Sequence, residues 1–234
     1  IAGIAIGVVI LPQLSKYIKK KKKKKIILIQ NKALELSLFL SLPASIALAI
    51  GAEEIISSLF GYGQFDEISV NNSARALYFF SLGLPAFAMI KVFSTFYFAN
   101  QNTKTPFYIS LVSVLLNIII SISLFNNFGF IIIPIATSIS SWFNVLILFI
   151  LLNKSNLFNF NRLFISRFFK ISFSSILMGI FFYYLIYFLD NQLAFNNLYK
   201  SFYLILSVLI SLGFYLIVSF WIKAFQLKDI KLRY

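Results

Sequence analysis

The 234-residue chain contains neither cysteine nor histidine. Disulfide frameworks, thiol or imidazole catalysis and the usual transition-metal sites are thereby excluded, and nothing marks the redox compartment. Acids are almost as scarce, seven Asp and Glu against 21 Lys and Arg. Charged residues of either sign make up only 12% of the chain, whereas 60% is hydrophobic and 29 residues are phenylalanine. A water-soluble domain could not keep that much apolar surface inside, so the solvent is lipid and the chain is a polytopic membrane protein.

No signal peptide is recognisable. The first apolar run, IAGIAIGVVILPQL, opens on Ile1 without a start methionine. Its length of about 14 residues falls short of the roughly 20 that a spanning helix needs. We expect it to be the end of a helix that starts upstream, and the chain to be the C-terminal part of a longer protein. Six further runs are long enough to span, at about 33–50, 76–99, 106–125, 129–152, 168–189 and 201–222. They are too long for strands and do not alternate, and every backbone polar group in hydrocarbon must be paired internally. The predicted fold class is therefore an all-α membrane bundle.

The basic residues sort to alternate loops. Lys16, the run Lys19, Lys20, Lys21, Lys22, Lys23, Lys24 and Lys25, and Lys32 precede the first full span. Lys104 follows the second, Lys154, Arg162, Arg167 and Lys170 follow the fourth, and Lys223, Lys228, Lys231 and Arg233 lie in the tail; together these are 18 of the 21. The opposite side has only Arg75 and Lys200, with the acids Glu53, Glu54, Asp66, Glu67 and Asp190. By the positive-inside rule the lysine run and the C-terminus are expected in the cytoplasm, and the net charge of +14 becomes a topology signal before a nucleic-acid one. The lysine run itself is either a topological anchor or a holder of anionic lipid headgroups.

Two connections stand out by length. Residues 51–75 combine an amphipathic EEIISSLF with a GYG turn signal and are expected along the outer interface. Residues 153–170, NKSNLFNFNRLFISRFFK, alternate aromatics with basic residues and are expected to form an interfacial elbow. Inside the predicted spans, Pro43, Pro85 and Pro134 each free a carbonyl and are expected to kink their helices. Gly3 and Gly7 form a small-xxx-small face suited to helix packing. Asn117, Ser121 one turn later and Thr137 at similar depth on the next span either converge oxygens on a hard cation such as Na⁺ or bond helix to helix.

Lys91 is the exception to an otherwise apolar run. It lies eight residues before Ala99, or about 12 Å at 1.5 Å per residue, which is more than a lysine stem recovers by snorkelling. An ammonium near mid-membrane costs at least about 2.5 kcal/mol on insertion scales. Within the predicted spans the one acid is Glu35, at the cytoplasmic end of its own helix, so Lys91 is expected to face a hydrated cavity or an anionic substrate.

The blocks GVVILPQLSK, NKALELSLFLSLPASIALAIGAEEIISSLFGYGQFD, ARALYFFSLGLPAFAMIKVFSTFYFANQNTKTP and IATSISSWFN resemble the MurJ/MviN family of lipid II flippases, within the multidrug, oligosaccharidyl-lipid and polysaccharide exporter superfamily. The likeness is collinear to about Leu152 and sharpest in LFGYGQF and KVFSTFYFANQNTKTP. It implies a 14-helix inner-membrane transporter, of which this chain holds the end of helix 8 and helices 9 to 14. Residues 1–152 would form most of the C-terminal lobe, and 153–234 two accessory helices lining a groove for the lipid tail. It also implies alternating access for an undecaprenyl-pyrophosphate-linked peptidoglycan precursor, Lys91 and Lys104 at basic positions of the family block, and no catalytic residue. Some members are thought to bind sodium; Asn117 and Thr137 match that pattern, while Ser121 stands where an acid is expected. Two other classes remain open. One is a polysaccharide or drug exporter of the same superfamily. The other is an integral membrane transferase, which would need paired acids for metal-diphosphate chemistry; the close pairs Glu53–Glu54 and Asp66–Glu67 lie in the outer connection.

Overall fold

A computed structural model of the chain describes residues 2–224, with side chains from residue 6 onward. The expectations for Gly3, Lys228, Lys231 and Arg233 concern positions whose side chains lie outside the described residues. All regular elements among the described residues are helical. They are α1 (Ala2–Lys19), α2 (Lys23–Ile50), α3 (Ala52–Phe60), α4 (Glu67–Ala99), α5 (Lys104–Phe128), α6 (Ile132–Lys154), α7 (Arg162–Phe188), the single turn α8 (Asp190–Leu193) and α9 (Lys200–Trp221).

Among the described residues five stretches are long and apolar enough to cross a membrane, one of them the 51 residues Lys104–Lys154. That stretch is two spans. A straight helix would hold Asn117 and Thr137 about 30 Å apart at 1.5 Å per residue, yet their side chains meet at 3.0 Å. The fold-back is a 3₁₀ turn over Gly129–Ile131, where Gly129 adopts φ +62°, a conformation that costs glycine nothing.

The spans extend past the hydropathy limits. α2 begins at Lys23 rather than near 33, α4 at Glu67 rather than near 76, and α7 at Arg162 rather than near 168. A helix does not stop where hydrocarbon stops. α4 starts where Asp66 accepts a hydrogen bond from the Ser69 amide at 2.9 Å, and α7 where Asn161 accepts one from the Leu163 amide at 3.4 Å. The lysine-rich loop consequently shrinks to Lys20–Lys22, with Lys21 at φ +53°.

The bundle centres on α2 and α4. α1 and α6 pack against α4, α5 against α6, α7 against α2, and α9 against α7. The main core joins Leu14, Leu34, Ala86, Phe96 and Leu148 of these helices, all at most 1% exposed. The 155–161 elbow departs from expectation: Phe158 is 1% exposed and stacks on Phe96 at 5.7 Å, so it plugs the end of the core instead of lying in the interface. Gln30 and Asn31 hold it there. The amide of Gln30 donates to the Leu157 carbonyl, that of Asn31 to the Asn159 carbonyl, and the Asn161 amide donates back to Asn31 Oδ1. One turn along α2, Glu35 meets Arg167 of α7 at 2.8 Å.

Candidate functional site

The prolines prove informative through what they release. A mid-helix proline lacks the N–H that would bond the carbonyl four residues back, and in a membrane that carbonyl must find another donor. Pro85 frees the carbonyl of Ser81, which accepts from Ser45 Oγ of α2 at 2.6 Å. Pro43 frees the carbonyl of Phe39, which accepts from Tyr215 Oη of α9 at 2.8 Å. Both prolines thus mark cross-helix contact points. Pro134 differs from expectation. It is the third residue of α6, in the first turn, where its missing N–H interrupts no hydrogen-bond ladder. Ser45→Ala and Tyr215→Phe each leave a buried carbonyl orphaned, and each is expected to lower stability by about 0.6–1.7 kcal/mol, measurable as a reduced melting temperature of the full-length protein in detergent. Ser41→Ala, at a buried hydroxyl without a described partner, is the control expected to change little.

Asn117, Thr137 and Ser121 come only partly together. Asn117 donates its amide to Thr137 Oγ1 at 3.0 Å and to Ser140 Oγ at 3.4 Å, while Thr137 donates to the Ile133 carbonyl. Ser121 Oγ is buried with no partner among the described residues. A hard cation needs converging oxygens, preferably with a carboxylate. Here a nitrogen points at the hydroxyls and no acid is present, so the arrangement fits a hydrogen-bonded helix pair and does not fit a sodium cage.

Lys91 lies on the exposed side of α4, and its ammonium makes no hydrogen bond or ion pair with any described residue. It borders a cleft of about 700 Å³ between α1, α4 and α5, whose lining includes Val8, Leu11, Ser94, Phe98 and Phe107 and no Asp or Glu. Gly7 shapes the upper wall. A Cβ there would meet Thr95 Oγ1 at 2.8 Å, so only glycine lets α1 come this close to α4. The cleft is an apolar trough with one unpaired cation. It suits a ligand with a hydrocarbon part and an anionic part.

A second, narrower cleft of about 220 Å³ runs between α2, α7 and α9, lined almost wholly by apolar groups such as Leu40, Ala44, Phe182 and Leu216, with Pro43 and Tyr215 beside it. The lysines Lys19 to Lys25 are all exposed, at the other end of the bundle from Glu53, Glu54, Asp66, Glu67 and Asp190, and Lys25 sits 5.1 Å from the Tyr17 ring centre.

Sequence reasoning missed Lys200. Read as a loop cation, it is the first residue of α9 and 1% exposed. Its ammonium donates to the carbonyls of Gly61 and Phe195, both at 2.7 Å, and lies over the rings of Tyr62 at 4.4 Å and Phe195 at 4.5 Å. Position alone gives no sign of this, because the partners are up to 139 residues distant.

Apolar helices whose freed carbonyls are rebonded across the bundle, with a lone cation bordering a largely apolar cleft, define a multi-pass helical membrane protein. The family model described as lipid II flippase MurJ matches residues 1–220. The chain belongs to the MurJ family. It is 32% identical over 224 residues to the probable lipid II flippase MurJ of Rhizobium tropici, covering 95% of this chain and 42% of that protein. Against the probable MurJ of Rhizobium meliloti (strain 1021) it is 36% identical over 149 residues, 64% of this chain and 28% of the relative. The solved structure of "Lipid II flippase MurJ, inward closed conformation" superposes with a TM-score of 0.74 at 29% identity, over 94% of this chain and 42% of that one. The chain therefore spans less than half the length of the relatives it matches.

Proposed function

We propose that this chain supplies the C-terminal part of a lipid II flippase, a transporter rather than an enzyme, in the bacterial inner membrane. The observation that carries the reading is the cleft beside Lys91. A lipid-linked pyrophosphate needs an apolar surface for its chain and a positive group for its phosphates, and the α1–α4–α5 cleft offers both. Lys91 meets the pyrophosphate as a point charge, with Lys104, the first residue of α5, near the cytoplasmic mouth. The α2–α7–α9 cleft has the apolar lining that a polyprenyl tail requires. Membership of the MurJ family supports the substrate, and the segregation of lysines from acids supports the orientation.

In that orientation the Lys20–Lys22 turn and the C-terminus face the cytoplasm. Reporters fused after Tyr234 and inserted in the lysine turn are expected to behave as cytoplasmic, and one inserted near Gln64 as exported. An exported signal from the lysine turn contradicts the orientation. The transport reading itself is tested by substitution of Lys91.

A further inference from the structure

On the face opposite the lysine turn, the amphipathic α3 lies against α4 and α9. Glu53, Glu54 and Ser57 project from one side of α3 toward Glu67 at the start of α4 and Asp190 of α8, and all five line a pocket of about 270 Å³. One buried oxygen among these groups is unsatisfied. Glu54 Oε2 is buried without any hydrogen-bond partner. Ser57 is 6% exposed, and its hydroxyl bonds to no described residue. Lys200 at the start of α9 is committed elsewhere, its ammonium bonded to the Gly61 and Phe195 carbonyls. Four carboxylates thus share one pocket with no positive group directed into it.

A buried oxygen anion without a partner calls for an ion, a water or a proton. We propose that this pocket binds a hydrated divalent cation of the calcium type, held by Glu54 and the Ser57 hydroxyl and clamping α3, α4 and α8 together. Among the described residues no three carboxylates stand close enough to ligate one ion directly. The ion accordingly keeps part of its water shell, and the exposed Glu53, Glu67 and Asp190 reach it through water. The space is ample, since one water needs only about 10–15 Å³ of such volume. Oxygen-only donors and a site open to solvent select a hard cation over a soft one. In the proposed orientation the pocket opens to the outside.

Protons compete for the same oxygens. Burial raises the Glu54 carboxyl above its ordinary range, with Glu53 and Asp190 adding like-charge repulsion. Glu54 therefore takes a proton as pH falls through that raised value, and cation binding is expected to weaken in the same direction. Of the other charged groups on the packed elements, Glu67 of α4 adds negative charge, Lys200 of α9 is bonded to the Gly61 and Phe195 carbonyls, and Arg75 and Lys91 of α4 lie outside the pocket lining.

The test uses the purified full-length protein titrated with CaCl₂ by calorimetry, with NaCl of equal ionic strength as the control for screening. We expect one saturable event with Kd about 10⁻⁴–10⁻³ M. Glu54→Gln is expected to weaken it at least about tenfold and Ser57→Ala several-fold. Glu54→Gln removes an unpaired buried charge, so it also raises the melting temperature measured without cation. No saturable calcium binding up to roughly ten times the upper end of that range, or binding unchanged in Glu54→Gln, overturns the proposal. The transport reading does not depend on the outcome, since Lys91 lies in a separate cleft.

Discussion

In the full-length protein, Lys91→Ala is expected to cut lipid II transport about 10- to 100-fold while membrane insertion and abundance stay unchanged. A charge-assisted hydrogen bond is worth about 1.5–3 kcal/mol, and that is the interaction lost when the pyrophosphate passes an alanine. The side chain is exposed and unpaired among the described residues, so its removal opens no cavity and breaks no internal bond. Relieving an ammonium of its place beside lipid favours insertion if anything. Lys91→Arg restores the charge and is expected to recover much of the rate, because a point charge rather than a planar fork is what the site asks for. An anchor that merely snorkels gives the opposite pattern, with full transport in Lys91→Ala. Complementation of a flippase-depleted strain, read alongside protein abundance, separates the two.

Phe158→Ala carries the largest expected effect on stability. The ring is 1% exposed and meets Phe93 at 5.9 Å, Phe96 at 5.7 Å, Phe149 at 6.2 Å and Phe160 at 4.9 Å. Truncating a buried phenylalanine costs about 3–5 kcal/mol. The cost here has a mechanical side. Phe158 pins the connection between α6 and α7, so its loss leaves the Gln30 and Asn31 hydrogen bonds and the more exposed Phe160 ring to hold the elbow. Thermal melting of the full-length variant is expected to fall by many degrees, whereas Phe160→Ala, at a ring that is 43% exposed, shifts it far less. Equal shifts for the two would mean that the elbow does not dock through Phe158.

The apolar runs made the spans legible because hydrocarbon imposes both a length and a helix on any segment that crosses it. The runs 106–125 and 129–152 were legible as separate spans by the same reasoning. What stayed illegible is pairing over long chain distances. Pro43 and Pro85 can be seen in sequence to free carbonyls, but not that Tyr215, 176 residues after Phe39, and Ser45, 36 residues before Ser81, would take them up. Lys200 looks like a surface cation until its two carbonyls and two rings are assembled around it. Span ends ran past the hydropathy limits for a local reason. Caps such as Asp66 decide where a helix begins, and Ser69's hydrogen bonds hold that carboxyl below its usual range. The Asp66 cap therefore weakens as pH falls through that lowered value, in the same direction as cation binding at Glu54 but at a lower pH. Asn117 and Thr137 were readable as facing partners, but only their geometry distinguishes a donated amide from an oxygen cage.

The central claim is that Lys91 faces a hydrated path used by lipid II. Lys91→Cys in a full-length protein freed of other cysteines tests it most directly, by the rate at which a small, charged, membrane-impermeant thiol reagent labels position 91. The account predicts rapid labelling that added lipid II slows. No labelling at position 91, or labelling that lipid II leaves unchanged, would contradict it.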